Sequence, residues 1–501
     1  MSKFVLALDQ GTTATTAMVV GGDLSVLGKA SNEIPQIYPR PGWVEHDPEA
    51  IWATTGLSAR QAMEAAGVDG ADCAALGITN QRETTVIWDR DSGRPRYNGI
   101  VWQCRRTAEL CSRLKEDGLE PLFRERTGLV LDPYFSGTKV RWLLDNVEGL
   151  RGDAEAGRVC FGTVDSFLMF RLTGGASHVT DVTNASRTLL FNLRTLRFDA
   201  DLLEALDVPS AILPEVKPSA GVFGTTRGLD FLPDGIPVSG VAGDQQAALF
   251  GQTCFQPGQS KCTYGTGAFL LLNTGSKPVP SNHGLLTTVA WTAQGETSYA
   301  LEGSCFIAGA AVQWLRDEMG LIENAPDVEA LARSVTDSGG VVFVPALAGL
   351  GAPHWKPDAR GGLFGLARSS NAAHVARAVL DGVALQITDL AQSMANDVGE
   401  PLTELRVDGG ASANDLLMQF QSDVLGLPVV RPRNLDTTAM GAASLAGLGV
   451  ELWDRGRLTE MAAIDRRFEP GMAPDRREET LTVFRRAVEL VGLMSRANAS
   501  N

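Results

Sequence analysis

Apolar residues along this chain follow two alternating rhythms. Short apolar runs bounded by Asp, Asn or Gly predict buried strands: FVLAL (Phe4 to Leu8), AALGIT (Ala74 to Thr79), TTVIW (Thr84 to Trp88), PVSGVA (Pro237 to Ala242) and Ala268 to Leu272. Between them, apolar positions recur at helical spacing. Asp47 caps one helix with Pro48 at its first position; Ile51, Trp52, Thr55, Ala59, Ala62 and Met63 line one face, and Gly67 ends it. In the second half Asn371 caps a long helix whose buried face carries Val375, Val379, Val383, Ile387, Leu390 and Met394. Ser412 or Asn414 opens another, with Leu416, Leu417, Phe420 and Val424 on its apolar face. This alternation predicts an α/β fold. The Pro-Gly pair within Phe255 to Gln259 breaks the pattern and sets a boundary between domains 1–252 and 253–501. The last residues, SRANASN, are expected to be disordered.

Three strand ends carry glycine turns. Asp9 to Thr13 (DQGTT) follows the first apolar run, Tyr264 to Gly267 (YGTG) precedes Ala268 to Leu272, and Asp408 to Gly410 (DGG) follows Leu405 to Val407. Backbone N–H groups and hydroxyls in such turns bind phosphate, and a strand-end acid holds Mg²⁺ directly or through water. A single turn of this kind is more often an ordinary hairpin. Three in this order point to a nucleotide held between two lobes.

Four further segments gather polar and aromatic groups at strand ends: NQRET (Asn80 to Thr84), WQCRR (Trp102 to Arg106), PYF (Pro133 to Phe135) and GDQQ (Gly243 to Gln246). A small polyol needs donors and acceptors for its hydroxyls and an apolar wall for its carbons. Arg82, Glu83, Tyr134, Asp244 and Gln245 supply the first, Trp102 and Phe269 the second. Asp244, at a strand end beside a glycine, is the candidate to accept the proton of an attacking hydroxyl. On spacing alone, Arg82–Glu83 reads equally well as a surface ion pair, Trp102 as core and Asp244 as a helix cap. Arg105–Arg106 reads as a solvated helix face without a role.

Composition narrows the classes. The 501 residues suffice for two or more domains with full cores. A net charge of −15, without a basic stripe, gives no reason to expect nucleic acid or anionic membrane as a partner. Seven scattered cysteines, an odd number without a C-x-x-C, argue against a disulfide framework and for a reducing cytoplasm. The five histidines show no metal-ligand spacing. Asp9 and Gln10 break the first apolar run too early for a signal peptide, and no stretch reaches the length of a membrane span. A soluble cytoplasmic protein is expected.

The segments DQGTT, NQRETT, WQCRR, DPYFSGTK, GTVD, TNASRT, GDQQAALFGQ, YGTG, GLGAP and DGG, in this order, resemble the FGGY carbohydrate kinases from about residue 4 to about residue 450. Tyr134 to Asn146 and Gly361 to Asp381 also look like signatures of that family. Within it, NQRET and WQCRR resemble the members that act on glycerol rather than on pentuloses or gluconate.

The resemblance implies an actin- and hexokinase-like ATPase fold, with an ATP cleft between two ribonuclease H-like domains. It implies transfer of the ATP γ-phosphate to glycerol, and a homodimer or homotetramer. Matched motif by motif, it implies glycerol held by Arg82, Glu83, Trp102, Tyr134, Asp244, Gln245 and Phe269, with Asp244 as base. It implies ATP held by Thr12, Thr13, Ala14, Thr266, Gly309, Gln313, Gly410 and Asn414, and Mg²⁺ at Asp9. The first phosphate turn and the polyol site fall to the first domain, the second turn and the adenosine site to the second. Where the family often reads DQGTTSSR this chain reads DQGTTATT, so Thr16 stands in place of an arginine that reaches the nucleotide phosphates. That exchange implies a weaker hold on them unless another cation compensates. A kinase for another polyol or ketose, and a chaperone or filament protein driven by the same ATPase fold, remain as alternatives. In the latter the NQRET–WQCRR cluster has no purpose.

Overall fold

The first half of the chain builds a six-stranded sheet from β1 (Phe4–Gln10), β2 (Ala14–Gly21), β3 (Val26–Glu33), β4 (Cys73–Asn80), β5 (Ala220–Thr225) and β6 (Pro237–Gly243) in the order β5-β6-β4-β1-β2-β3. The strands belong to a computed structural model that describes residues 3–356 and 358–499. A seven-stranded sheet follows: β7 (Gln259–Tyr264), β8 (Ala268–Gly275), β9 (Leu286–Ala293), β10 (Glu296–Cys305), β11 (Glu404–Asp408), β12 (Val429–Pro432) and β13 (Ile464–Phe468), in the order β9-β10-β8-β7-β11-β12-β13.

The two sheets repeat one plan. β1 pairs antiparallel with β2 and parallel with β4; β7 pairs antiparallel with β8 and parallel with β11. In each, the central strand delivers a glycine turn at its C-terminal end. In the first sheet three parallel strands end level: Gln10 lies opposite Asn80, and Asn80 opposite Gly243. Ligands of open α/β sheets bind outside such ends.

The run FVLAL is apolar throughout because both faces of β1 are covered. Phe4, Leu6 and Leu8 pack with Ile51, Ala59, Ala62 and Met63 of α1 (Pro48–Ala66), which Asp47 caps through the Glu49 N–H. Val5 and Ala7 face the other way, into a core shared with α2 (Asp244–Gly251) and with Leu271 and Trp291 of the second sheet. α3 (Gly309–Asp317), α4 (Ala372–Val398) and α5 (Asp415–Leu425) pack around the second sheet, and Asn371 and Asn414 cap α4 and α5.

The chain then returns to the first sheet. α6 (Thr437–Gly449) packs on β1, β4 and β6 and along α2. The approach is so close that a Cβ on Gly441 would lie 1.8 Å from the Ala247 carbonyl oxygen. Only glycine admits two helix backbones at this spacing.

The last helix, α7 (Pro474–Ala499), buries Leu481, Phe484, Val488 and Val491. The tail expected to be disordered is therefore helical through Ala499, because this apolar face docks it; residues 500 and 501 lie outside the described residues. All seven cysteines are buried free thiols. Among the described residues no helix is long and apolar enough to cross a membrane.

Candidate active site

Each glycine turn is tied down by hydrogen bonds. In the first, the Gly11 N–H donates to the Ala14 carbonyl at 2.9 Å. The Thr12 carbonyl accepts from Gln36, and the Thr12 hydroxyl accepts from the Trp102 indole, both at 2.9 Å. Trp102 thus ties the WQCRR segment to the first glycine turn. Thr13 stays exposed.

In the second turn the Gly265 carbonyl accepts from the Gly309 N–H at 2.9 Å, and the Thr266 carbonyl from Ala308 at 2.9 Å and Ala310 at 3.0 Å. Gln313 lies exposed one helical turn further along α3. The third turn is the neighbour of the second, because β7 and β11 run parallel with Thr263 opposite Asp408. Gly409 has φ +82° and presses on the Tyr264 backbone, where a side chain would clash. Its neighbour Gly410 faces open space, and Asn414 accepts from the Leu417 N–H at 2.9 Å. The predicted nucleotide residues of the second lobe therefore gather around two neighbouring turns.

Between the turns lies a buried ionic network. Arg82 donates to both carboxylate oxygens of Glu302 (2.9 Å to Oε1), to Gln246 Oε1 at 3.2 Å and to the Tyr134 hydroxyl at 3.3 Å. Its Nε ion-pairs with Asp244 at 3.1 Å. Arg187 donates to Glu83 at 2.6 Å and to Glu302 at 2.9 Å. Arg82, Glu83, Arg187 and Glu302 are all buried, whereas the Asp244 side chain remains 30% exposed. It is the carboxylate of this group left partly open to solvent. Glu83 has φ +62°, a strained value for a non-glycine residue that is common at functional sites. The expected strand Thr84 to Trp88 accordingly begins only at Val86 and runs Val86–Asp89.

The electrostatics follow from burial and neighbours. Burial works against the Glu302 carboxylate, but Arg187 and Arg82 outweigh it and hold its pKa down to about 2. Burial raises Glu83 against the pull of Arg187 and Arg82. Burial lowers Lys261, opposed by Asp408 and Asp244 among other groups. Asp9 is pushed up to about 7 by burial and then by the charges of Asp244 and Asp436, with Lys29 opposing.

The predicted substrate residues converge. Arg82, Glu83, Tyr134 and Asp244 belong to the network directly. Trp102 meets Tyr134 edge to face at 5.6 Å. Gln245 accepts from the buried Lys261, which also donates to Thr263 at 2.8 Å. Phe269 arrives by register: Thr263, Phe269 and Ser304 lie opposite one another on the face that carries Lys261, Leu271 and Glu302 one pair further along.

Sequence reasoning missed Arg187, Gln246, Lys261 and Glu302. The signal for Lys261 and Glu302 was a lone charge inside a strand-like run, SKCTY and YALEGS. Arg106 was misjudged. Its side chain is buried, donates to Glu45 at 2.6 Å and stacks over Trp43 at 3.9 Å and Trp142 at 4.6 Å. A guanidinium paired with a carboxylate and packed against two ring faces is tolerated inside the fold, even with its Nη1 left without a hydrogen-bond partner. Arg105 is the solvated partner, paired with Asp132. Thr16 donates to Ser31 at 3.0 Å.

Among the described residues no group of three or more His, Cys, Asp or Glu side chains encloses a metal. Mg²⁺ does not require one, since it is held through one or two carboxylates plus substrate phosphates. Asp9, at the end of β1 before the first glycine turn, offers one hard carboxylate oxygen of the kind that ion takes.

Comparison with known proteins shows the family. The N-terminal domain model of the FGGY family of carbohydrate kinases matches residues 4–251, and the C-terminal domain model matches residues 260–450. The chain is 60% identical to a glycerol kinase of Myxococcus xanthus over 491 residues, 97% of this chain and 99% of that protein. It is 56% identical to a glycerol kinase of Carboxydothermus hydrogenoformans over 487 residues, 97% of each. Among solved structures it is similar to a Plasmodium falciparum glycerol kinase with ADP, at TM-score 0.92, 35% identity and 98% coverage of both chains. A gluconate kinase from Lactobacillus acidophilus shares the fold at TM-score 0.88 and 22% identity, covering 99% of each chain.

Proposed function

Because the chain belongs to the FGGY family of carbohydrate kinases, we propose that it transfers the γ-phosphoryl group of ATP directly to glycerol, giving sn-glycerol 3-phosphate and ADP. The observation that carries this reading is the pairing of Asp244 with Arg82 at the level ends of three parallel strands, between the glycine turns of the two lobes.

Phosphoryl transfer asks chiefly for alignment and charge stabilisation. Arg82, Glu83 and Tyr134 present donors and acceptors to the hydroxyls of a three-carbon alcohol, with Trp102 and Phe269 against its carbons. Gln245, held by Lys261, completes the polar side. The terminal hydroxyl attacks the γ-phosphorus in line, the bond to the β–γ bridging oxygen breaks, and Asp244 takes the hydroxyl proton. Arg82 fixes the orientation of that carboxylate, and the Glu302 and Gln246 contacts fix Arg82. Thr12, Thr13 and Ala14 face the phosphates from one lobe, and Thr266 and Gly410 from the other. Gly309, Gln313 and Asn414 lie towards the adenosine. Asp9 would hold Mg²⁺ through a carboxylate oxygen, and the ion when bound would supply positive charge to the transferring phosphoryl group. Approach of the two lobes expels water, itself a competing acceptor.

We place the boundary between the lobes at residue 252/253, the protein in the cytoplasm and its assembly as a homodimer or homotetramer. A coupled ADP-release assay with glycerol, dihydroxyacetone and pentuloses tests the reading. Glycerol is expected to stimulate ADP release most. Release indifferent to glycerol overturns the proposal.

A further inference from the structure

One cation on the edge strand of the first sheet has no part in the mechanism above. Lys29 lies on β3, whose register sets Ser31 opposite Thr16 and Lys29 opposite Met18, while Thr16 in turn lies opposite Asp9. Opposed residues of neighbouring strands share a face, and so do residues two apart. Lys29 therefore projects from the face that carries Asp9, one pleat along. Its ammonium donates to both oxygens of Asp436, at 2.7 and 2.8 Å.

Asp436 immediately precedes α6 and comes from the other half of the chain. The next residue, Thr437, donates at 2.7 Å to Asp408, the carboxylate that ends β11 before the Gly409–Gly410 turn. The pair thus joins β3 of the first sheet to the start of α6, whose Thr437 is tied to the end of β11. Asp244 and Asp436 raise the pKa of Asp9, and Lys29 lowers it. Lys29 and Asp436 are in direct contact, and the charges of both act on Asp9 beside the first glycine turn.

A polyphosphate in this place needs positive charge. Thr16, the residue across from Asp9, offers only a hydroxyl already committed to Ser31. Lys29 supplies a cation on that face. Both members of its ion pair are about two-fifths exposed, 41% and 43%. An exposed pair of this kind is exchanged at little cost. A lysine on its four-carbon stem binds phosphate as a movable point charge.

We propose that Lys29 is a phosphate-binding residue of the nucleotide site, and that Asp436 competes with the polyphosphate of ATP for its ammonium. The inference rests on the ATP-dependent reading above. Asp436 then sets how readily the site accepts nucleotide, which a bridge serving only to join two lobes would not do.

The two roles predict opposite signs. Calorimetric titration with a non-hydrolysable ATP analogue and with AMP is performed on wild type, Lys29→Met, Asp436→Asn and the double variant. Lys29→Met is expected to weaken the analogue about tenfold while leaving AMP within about twofold, an effect that shrinks at high salt. Asp436→Asn is expected to tighten the analogue severalfold, and to do so less in the Lys29→Met background. The inference is overturned by analogue binding unchanged in Lys29→Met, or by equal weakening in both single variants, the mark of a purely structural bridge. A wild type that binds no nucleotide, or releases no ADP with glycerol, overturns the kinase reading itself.

Discussion

Replacing Glu302 by Gln tests the buried network with nearly no change of shape. One carboxylate oxygen accepts from Arg82 and Arg187, both at 2.9 Å, and the other accepts from Arg82 again. Glutamine keeps one acceptor and turns an amide NH₂ group towards a guanidinium. It also leaves two buried guanidiniums facing Glu83 and the part-exposed Asp244. At an effective dielectric of about 20, a charge pair about 4 Å apart is worth about 4 kcal/mol. Two such attractions vanish, and part is returned because the carboxylate no longer has to be desolvated. Breaking a buried pair from one side leaves a net loss of about 3–5 kcal/mol, a large share of a typical stability of about 5–15 kcal/mol. The Glu302 carboxyl is lowered from 4.5 to about 2, so its stabilisation is complete above pH 4.5 and lost as pH falls through 2. Denaturant and thermal melts of wild type and variant should therefore differ by a constant gap through neutral pH that closes only in strong acid. The glycerol KM should rise as well, because Arg82 loses its anchor. A stability loss below about 1 kcal/mol at neutral pH would refute the claim that this network is buried and mutually dependent.

Three further outcomes are expected. Asp244→Asn should lower kcat by about 10²–10⁴-fold while glycerol still binds in titration, since Arg82 keeps its Glu302 anchor; near-normal turnover would remove Asp244 as the base. Asp9 has its pKa raised from 3.8 to about 7, so the native state bears a charge penalty that is full above pH 7 and fades as pH falls towards 3.8. Asp9→Asn should then melt higher than wild type above pH 7 yet lose Mg·ATP affinity, and wild-type Mg·ATP affinity should itself fall below pH 7. Gly441→Ala should lower the melting temperature despite the better helix propensity of alanine, because the added Cβ meets the Ala247 carbonyl oxygen at 1.8 Å; an unchanged melting temperature would show that α2 and α6 can separate freely.

Local chemistry alone determined a good part of this protein. The glycine turns, the caps Asp47 and Asn371, and the apolar strands that run into Asp9, Asn80 and Asp244 are set by residues a few positions apart, whereas the choice between Ser412 and Asn414 as the cap of α5 fell to Asn414 only in the structure. Such short-range preferences act whatever the rest of the chain does. Only the tertiary structure decided which charges are buried and whom they meet. Glu302 joins Arg82 across 220 positions, and the position of Lys261 against Gln245 and that of Phe269 near Glu302 depend on the register of the second sheet. Arg105 and Arg106 are neighbours of one type, yet one pairs at the surface and the other stacks between two tryptophans. Nothing within the reach of a few residues separates them. Burial of a charge becomes tolerable only when distant segments bring a partner, and those partners exist only after the chain has closed on itself.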